Sequence, residues 1–375
     1  MHSRLLSLLI VCVLPFVHAV AQTPPSDLDE AKLLYRYHNY SGALELLNAS
    51  LEQNPRWAEA YNVRGLTLMA LANLNMAIKD FDSAIILVPR YIEAYNNRGR
   101  AFEHQGEYEK AKADFSFCLA ISTTNRDIYF FNRATCALEQ GRSQEALQDY
   151  NEAIRINPES EDALNNRAKV KTDLGDSAGA LGDYQQALRY NPDFIEGYMN
   201  RAALEEAQGN YKGAAYDYNQ CLRWNPDDAR AYAEVGRLNE QYLKNMPVAL
   251  TAFDKSIALD PHAPEVFNDR GTVEMHQQRY RKAIRDFSRA IELDAFQAAF
   301  YFNRGIAYNT MGKKTRALED FSAAIDANPN YIAALYNRGI IESESGDTLK
   351  GCPDLQKASD KGLAAAARAH AQYCH

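Results

Sequence analysis

Ala94-Tyr95-Asn96-Asn97-Arg98-Gly99 is the stretch from which the rest of the chain can be read. It returns as Phe131-Asn132-Arg133-Ala134, Asn165-Asn166-Arg167-Ala168, Met199-Asn200-Arg201-Ala202, Phe302-Asn303-Arg304-Gly305 and Tyr336-Asn337-Arg338-Gly339. Near-copies stand at Asn62-Val63-Arg64-Gly65 and Asn268-Asp269-Arg270-Gly271. The step between copies is 34 or 35 residues, with one double step of about 69 across a divergent copy. A fixed period of this length marks stacked supersecondary units, each burying its apolar face against its neighbours. The 375 residues are therefore an array rather than two or three globular domains. An apolar fraction of 46% and a charged fraction of 24% are ordinary for a folded chain.

Numbering each unit from its start, regular units run 58–91, 92–126, 127–160, 161–194, 195–228, 229–263, 264–297, 298–331 and 332 to about 361. Each shows helical periodicity twice. Position 4 is aromatic or Leu (Tyr61, Tyr95, Phe130, Leu164), and position 8 is Gly or Ala (Gly65, Gly99, Ala134, Ala168). A residue that small lets two helices approach. Position 15 is often Gly (Gly106, Gly141, Gly175), which ends a first helix by accepting a left-handed backbone. A second helix carries Ala at position 20 and an aromatic at 24 (Phe81, Phe115, Tyr150). It stops at Asn-Pro or a relative, as at Asn157-Pro158 and Asn191-Pro192, because the residue before Pro disfavours the helical region.

This set of positions resembles the tetratricopeptide repeat family over residues 58 to about 360, with a weak copy before it. The resemblance implies an all-α fold, a right-handed superhelix of about 9–10 helix-turn-helix repeats. First helices would line a concave groove and second helices would face outward. Residues 22–57 are read as a linker and a degenerate first repeat, 58–362 as the tandem array and 363–375 as a C-terminal capping helix. Unit 229–263 departs from the pattern, with Val235 for the usual Arg and one extra residue in Tyr242-Leu243-Lys244-Asn245-Met246-Pro247. A local irregularity is expected there.

Position 7 is Arg in eight units, and position 23 is Asp in the same eight. The pairs are Arg64 and Asp80, Arg98 and Asp114, Arg133 and Asp149, Arg167 and Asp183, Arg201 and Asp217, Arg270 and Asp286, Arg304 and Asp320, and Arg338 and Asp354. Unit 229–263 loses both together, with Val235 and Ala252. Joint presence and joint loss indicate a structural ion pair between the two helices, since a guanidinium fork suits a carboxylate. The alternative is a row of arginines holding an anionic ligand.

Position 6 is Asn in Asn97, Asn132, Asn166, Asn200, Asn303 and Asn337. In the fold that the resemblance implies, this position faces the groove. An amide carries donors and an acceptor, so one Asn per repeat suits the backbone of an extended peptide, as in superhelical members of the family with an asparagine ladder. The competing reading is that these residues solvate the first helix or cap local backbone. Position 2 is mainly acidic (Glu59, Glu93, Asp162, Glu196, Glu265), which favours a partner with basic segments and equally suits a helix N-terminus.

The N-terminus reads as a secretory signal over residues 1–21. Arg4 precedes an apolar run of about 13 residues and the small-x-small site Ala19-Val20-Ala21. The run is short of the roughly 20 residues needed to span a bilayer. An exported chain, periplasmic or secreted and without an integral membrane segment when mature, is expected. Export permits disulfides. Cys352 lies 10 residues before Gly362 and Cys374 lies 12 after it, so two antiparallel helices hinged at Gly362 bring the thiols together. A bond between them would clamp the capping helix; otherwise they are unrelated thiols, one at a frayed end. Cys118 and Cys221 occupy a position that is otherwise small and read as core thiols. Cys136 falls near Cys118 in the stack, and whether they pair stays open.

A net charge of −8 argues against a general nucleic-acid binder. No Gly-rich phosphate loop, metal-spaced His pair or nucleophile motif appears, so neither an enzyme nor a cofactor is expected. The sequence points to an exported scaffold that binds a protein partner, an extended segment, in its groove. The alternative is a structural component of a cell-envelope assembly, held by its convex face or its ends. The sequence leaves the oligomeric state open.

Overall fold

A computed structural model describes residues 26–374. The expected leader, 1–21, lies outside the described residues, as do residues 22–25 of the linker and His375. All regular structure among the described residues is helical: 21 α-helices and no strand. The chain forms two compact units, one ending at Ile156 and the other beginning at Asn157.

The first unit is four consecutive hairpins. They are α1 (Asp27–Arg36) with α2 (Tyr40–Gln53), α3 (Ala58–Ala70) with α4 (Leu74–Leu87), α5 (Ile92–His104) with α6 (Tyr108–Ile121), and α7 (Arg126–Glu139) with α8 (Ser143–Ile156). The degenerate first repeat is a complete hairpin. Leu28, Ala31, Leu47 and Leu51 pack it onto Ala60 and Val63 of α3.

The second unit is six hairpins and a last helix. The hairpins are α9 (Glu161–Asp173) with α10 (Ser177–Tyr190), α11 (Ile195–Ala207) with α12 (Tyr211–Trp224), and α13 (Ala229–Gln241) with α14 (Met246–Leu259), followed by α15 (Pro264–His276) with α16 (Tyr280–Leu293), α17 (Ala298–Thr310) with α18 (Lys314–Ala327), and α19 (Ile332–Glu344) with α20 (Thr348–Asp360). The last helix is α21 (Ala364–Tyr373). Within each unit, every helix packs on the next, and first helices of successive repeats also touch, as α3 does α5 and α15 does α17.

The small residue at position 8 has a specific cause. A Cβ on Gly65 would lie 2.5 Å from Phe81 Cε1, and one on Gly99 would lie 2.7 Å from Phe115 Cε1. Where position 24 is Tyr, position 8 is Ala: Ala134 with Tyr150, Ala168 with Tyr184, Ala202 with Tyr218. The tyrosine hydroxyl has a polar neighbour on the first helix. Tyr150 Oη lies 3.1 Å from Thr135 Oγ1, and Tyr218 Oη donates to Glu206 Oε2 at 3.4 Å. Beside these rings Ala134, Ala168 and Ala202 are fully buried.

The Asn and Asp residues that end second helices do more than precede proline. Asn191 Oδ1 accepts from the Asp193 N–H at 3.2 Å, and Asn328 Oδ1 from the Asn330 N–H at 3.0 Å. The side chain caps the turn while proline forbids helix continuation. The turn between first and second helices needs a left-handed residue. Gly supplies it at Gly106 and Gly312, while His38, Ala72 and Gln278 adopt it as well. In the irregular repeat the extra residue lengthens this turn to Tyr242–Asn245, with Lys244 left-handed at φ 54° and Tyr242 stacked on Tyr211. The other one-residue excess, in unit 92–126, is absorbed by an earlier start of α7, at Arg126; its guanidinium donates to the carbonyls of Leu119 and Ser122.

Cys352 and Cys374 are joined, with Cα atoms 5.7 Å apart, tying α20 to the end of α21. Cys118, Cys136 and Cys221 are free and buried. Cys118 packs with Leu119 and Tyr129, Cys136 with Ala111 and Phe115, and burial pushes each of the three thiols up to about 12. No described helix is long and apolar enough to cross a membrane.

Candidate functional site on the first helices

In the first helices that carry it, the Asn-Arg phrase sits mid-helix, with its two residues on different sides. Arg at position 7 turns toward the second helices. Arg98 Nε donates to Asp114 Oδ2 at 2.8 Å and its NH2 to Asp114 Oδ1 at 2.6 Å. The same two-pronged contact joins Arg64 to Asp80, Arg133 to Asp149, Arg167 to Asp183, Arg201 to Asp217, Arg270 to Asp286, Arg304 to Asp320 and Arg338 to Asp354. The carboxylates are buried: Asp217 side chain is 1% exposed against 18% for Arg201.

The third nitrogen reaches into the preceding repeat. NH1 donates to Asn48 from Arg64, to Asp82 from Arg98, to Ser116 from Arg133, to Asp254 from Arg270, to Ser288 from Arg304 and to Ser322 from Arg338. All these acceptors occupy one position, two residues past that repeat's Asp, or past Leu46 and Ala252, which stand in its place in the first and the irregular repeat. Each such Arg is thus a bolt through three helices. The Asp114 hydrogen bonds hold the Arg98 guanidinium above its ordinary value, and all three of its nitrogens already face carboxylates.

Asn at position 6 makes a different cross-repeat contact. Its Nδ2 donates to the Oδ1 of the asparagine at position 5 one repeat earlier. The pairs are Asn97 to Asn62 at 3.0 Å, Asn132 to Asn96 at 3.1 Å, Asn200 to Asn165 at 2.9 Å and Asn303 to Asn268 at 2.8 Å. Two members of the column differ because position 5 before them is Phe131 or Phe302. Asn166 Oδ1 accepts from Asn165 at 3.4 Å, and Asn337 Nδ2 turns back to the Ala333 carbonyl at 2.8 Å. The position-5 asparagines were missed by the sequence reading. Their signal was present: every Asn at position 5 is followed one repeat later by Asn at position 6.

One N–H of each latch amide is used. Among the described residues, Oδ1 of Asn97, Asn132, Asn200 and Asn303 accepts no hydrogen bond. The acidic position 2 is tied into this surface. Glu196 Oε1 accepts from Asn165 at 3.2 Å and lies 3.7 Å from Lys169 Nζ, while Glu59 pairs with Lys32 at 2.5 Å. Asp269 replaces Asn where the preceding position 5 is Ala233; burial raises its carboxyl from 3.8 to about 6. Among the described residues no group of three or more His, Cys, Asp or Glu is placed to hold a metal ion.

Helix hairpins stacked within each unit, bolted by arginines and latched by asparagines, define the class: a helical-repeat scaffold. Profiles of the tetratricopeptide repeat match residues 28–89, 63–115, 165–223 and 268–332, and a second such profile matches 90–159. Together they cover more than half of the chain, which belongs to the tetratricopeptide repeat family. Members of this family are typically non-enzymatic interaction scaffolds.

No curated protein sequence matches it. Among solved structures it is similar to the C-terminal part of a repeat protein from Cytophaga hutchinsonii, with 18% identity over 64% of this chain and 98% of that one, at a TM-score of 0.50. A tetratricopeptide repeat protein from Parabacteroides merdae shows 24% identity over 69% and 98%, at 0.49. YrrB, described as having an unusual peptide-binding site, shows 22% identity over 50% and 97%, at 0.44. At these identities the likeness concerns the fold alone.

Proposed function

We propose that this protein is an exported scaffold that binds an extended segment of a partner protein along its first helices, with the asparagine column contacting the segment's backbone. The observation that carries this reading is the state of the amides. In Asn97, Asn132, Asn200 and Asn303 the cross-repeat bond fixes the side chain and leaves its carbonyl oxygen without a partner among the described residues. An acceptor held in place loses little conformational entropy on meeting a peptide N–H. Asn166 and Asn337 hold the same repeat position as Asn200 and Asn303 in the second unit.

Export is supported by the reading of residues 1–21 and by the Cys352–Cys374 bond, which persists in an oxidising compartment. Determination of the mature N-terminus tests it. A chain beginning at Gln22 and recovered outside the cytoplasm is expected, and an unprocessed cytoplasmic chain would contradict it.

The binding reading is tested by capture from the exported fraction. Wild-type chain and the Asn132→Ala, Asn166→Ala, Asn200→Ala variant are compared at a temperature where both are folded by circular dichroism. The variant is expected to lose the captured partner. Equal capture would remove the asparagine column from the account.

A further inference from the structure

The irregular repeat lacks the arginine bolt, and the space that the bolt fills elsewhere is open. Val235 stands for the Arg and Ala252 for the Asp. The third partner position is Asn219, whose Nδ2 turns back to the Ala215 carbonyl of its own helix at 2.6 Å. These residues border an open cavity of about 310 Å³ between α12 and α14, lined by Leu222, Tyr232, Val235, Val248, Thr251 and Ala252 with Asn219 and Pro247 at its rim. Its walls are mainly apolar, and Val248 is 40% exposed at its edge. In the eight bolted repeats the same two positions carry a charged Arg and Asp, and the cavity of about 370 Å³ beside Arg270 and Asp286 is lined by charged side chains.

Three cations stand next to the lining residues in helix and turn register. Lys255 follows Val248, Thr251 and Ala252 on the same face of α14, Arg223 follows Asn219 by one turn on α12, and Lys244 precedes Pro247 in the lengthened turn. All three are exposed, and none has an acidic partner among the described residues; the Arg223 guanidinium lies over the Trp224 ring at 5.4 Å. The acid beside them on α14, Asp254, is taken by Arg270 at 2.7 Å.

We propose that this slot is a second docking site, which takes an apolar side chain from a partner segment whose flanking residues are acidic. The apolar cavity supplies the anchor and the three cations select the flanks, a division between a desolvated centre and a charged rim that is usual at protein interfaces. The site lies between second helices and does not use the asparagine column, so it stands or falls independently of the groove reading.

The test uses the purified chain and a fluorescein-labelled peptide, Gly-Ser-Asp-Glu-Leu-Phe-Asp-Glu-Ser-Gly, by fluorescence anisotropy. Control peptides carry Ser-Ser for Leu-Phe or Lys for every acid. The decisive variant is Val235→Arg with Ala252→Asp, which installs the pair that eight other repeats already carry and so closes the slot without breaking the fold. Lys255→Glu is the second variant. Saturable binding of the acidic apolar peptide is expected, weakened about tenfold or more by the double variant and by either control, and severalfold by Lys255→Glu. No saturation below about 1 mM, or equal affinity for wild type and double variant, would overturn the proposal. A dimer seen by sedimentation that the double variant abolishes would make a second copy the occupant, and would equally overturn it.

Discussion

Asn97 Nδ2 donates to Asn62 Oδ1 at 3.0 Å, and the two residues are 8% and 6% exposed. The contact joins the first helices of neighbouring repeats rather than two parts of one hairpin. It gives the asparagine column a structural duty alongside any contact with a partner. Asn97→Ala leaves the Asn62 amide oxygen without that donor in a buried place and is expected to destabilise the first unit by about 1–3 kcal/mol. Asn337→Ala, whose amide bonds only its own helix among the described residues, should cost less than about 1 kcal/mol. Urea titration of both variants checks the difference, and equal losses would refute the latch.

The arginine bolt yields a sharper comparison, because the chain contains its own apolar replacement. Arg201→Val strands the Asp217 carboxylate and should cost about 3–5 kcal/mol. Arg201→Val with Asp217→Ala copies the Val235 and Ala252 pair and should recover a large part of that loss, since the uncompensated buried charge goes with the arginine. A double-mutant cycle in urea gives the coupling directly. Additive losses would mean that the pair contributes nothing as a pair.

The match of Gly to Phe and Ala to Tyr is testable in the same way. Gly99→Ala drives a methyl into the Phe115 ring and should destabilise by about 1–3 kcal/mol. Adding Phe115→Tyr should restore part of it, because the new hydroxyl has Glu103 at the position from which Glu206 accepts Tyr218. Thermal melts of the two variants decide the matter, and a double variant less stable than Gly99→Ala alone would contradict it.

Asp269 sets a pH dependence. Burial raises its carboxyl from 3.8 to about 6, so the folded state holds the proton more tightly than the unfolded chain. Its contribution to stability is therefore fully present below about 4 and is lost as pH rises through about 6. Asp269→Asn removes this loss. It should raise stability at pH 7.5 by on the order of 2 kcal/mol and change it little at pH 4. Melting curves of both proteins at the two pH values check this. A gain independent of pH would place the effect elsewhere.

Much of this was legible in the sequence. The repeat period, the hairpins and the Arg–Asp pairing were readable because each rests on positions that recur every 34 or 35 residues and, for Arg and Asp, vanish together at Val235 and Ala252. The cross-repeat contacts were read less well. Asn62 and Asn97 are 35 residues apart, and their link shows only when position 5 of one repeat is compared with position 6 of the next. The residues that receive Arg NH1 vary in type, from Asn48 through Ser116 to Asp254, so no single letter recurs to mark them. The slot at Val235 was foreseen only as an irregularity, because an absent side chain gives no pattern.

The most direct measurement of the functional claim uses Asn166, whose Nδ2 makes none of the cross-repeat bonds of the latch and whose removal should therefore disturb the stack least. The shortest captured partner segment is titrated calorimetrically into wild type and Asn166→Ala. A segment that rests on the asparagine column should bind the variant about fivefold to tenfold more weakly, with the melting temperature of the free protein nearly unchanged. Unchanged affinity for Asn166→Ala would contradict the claim that the column contacts the partner.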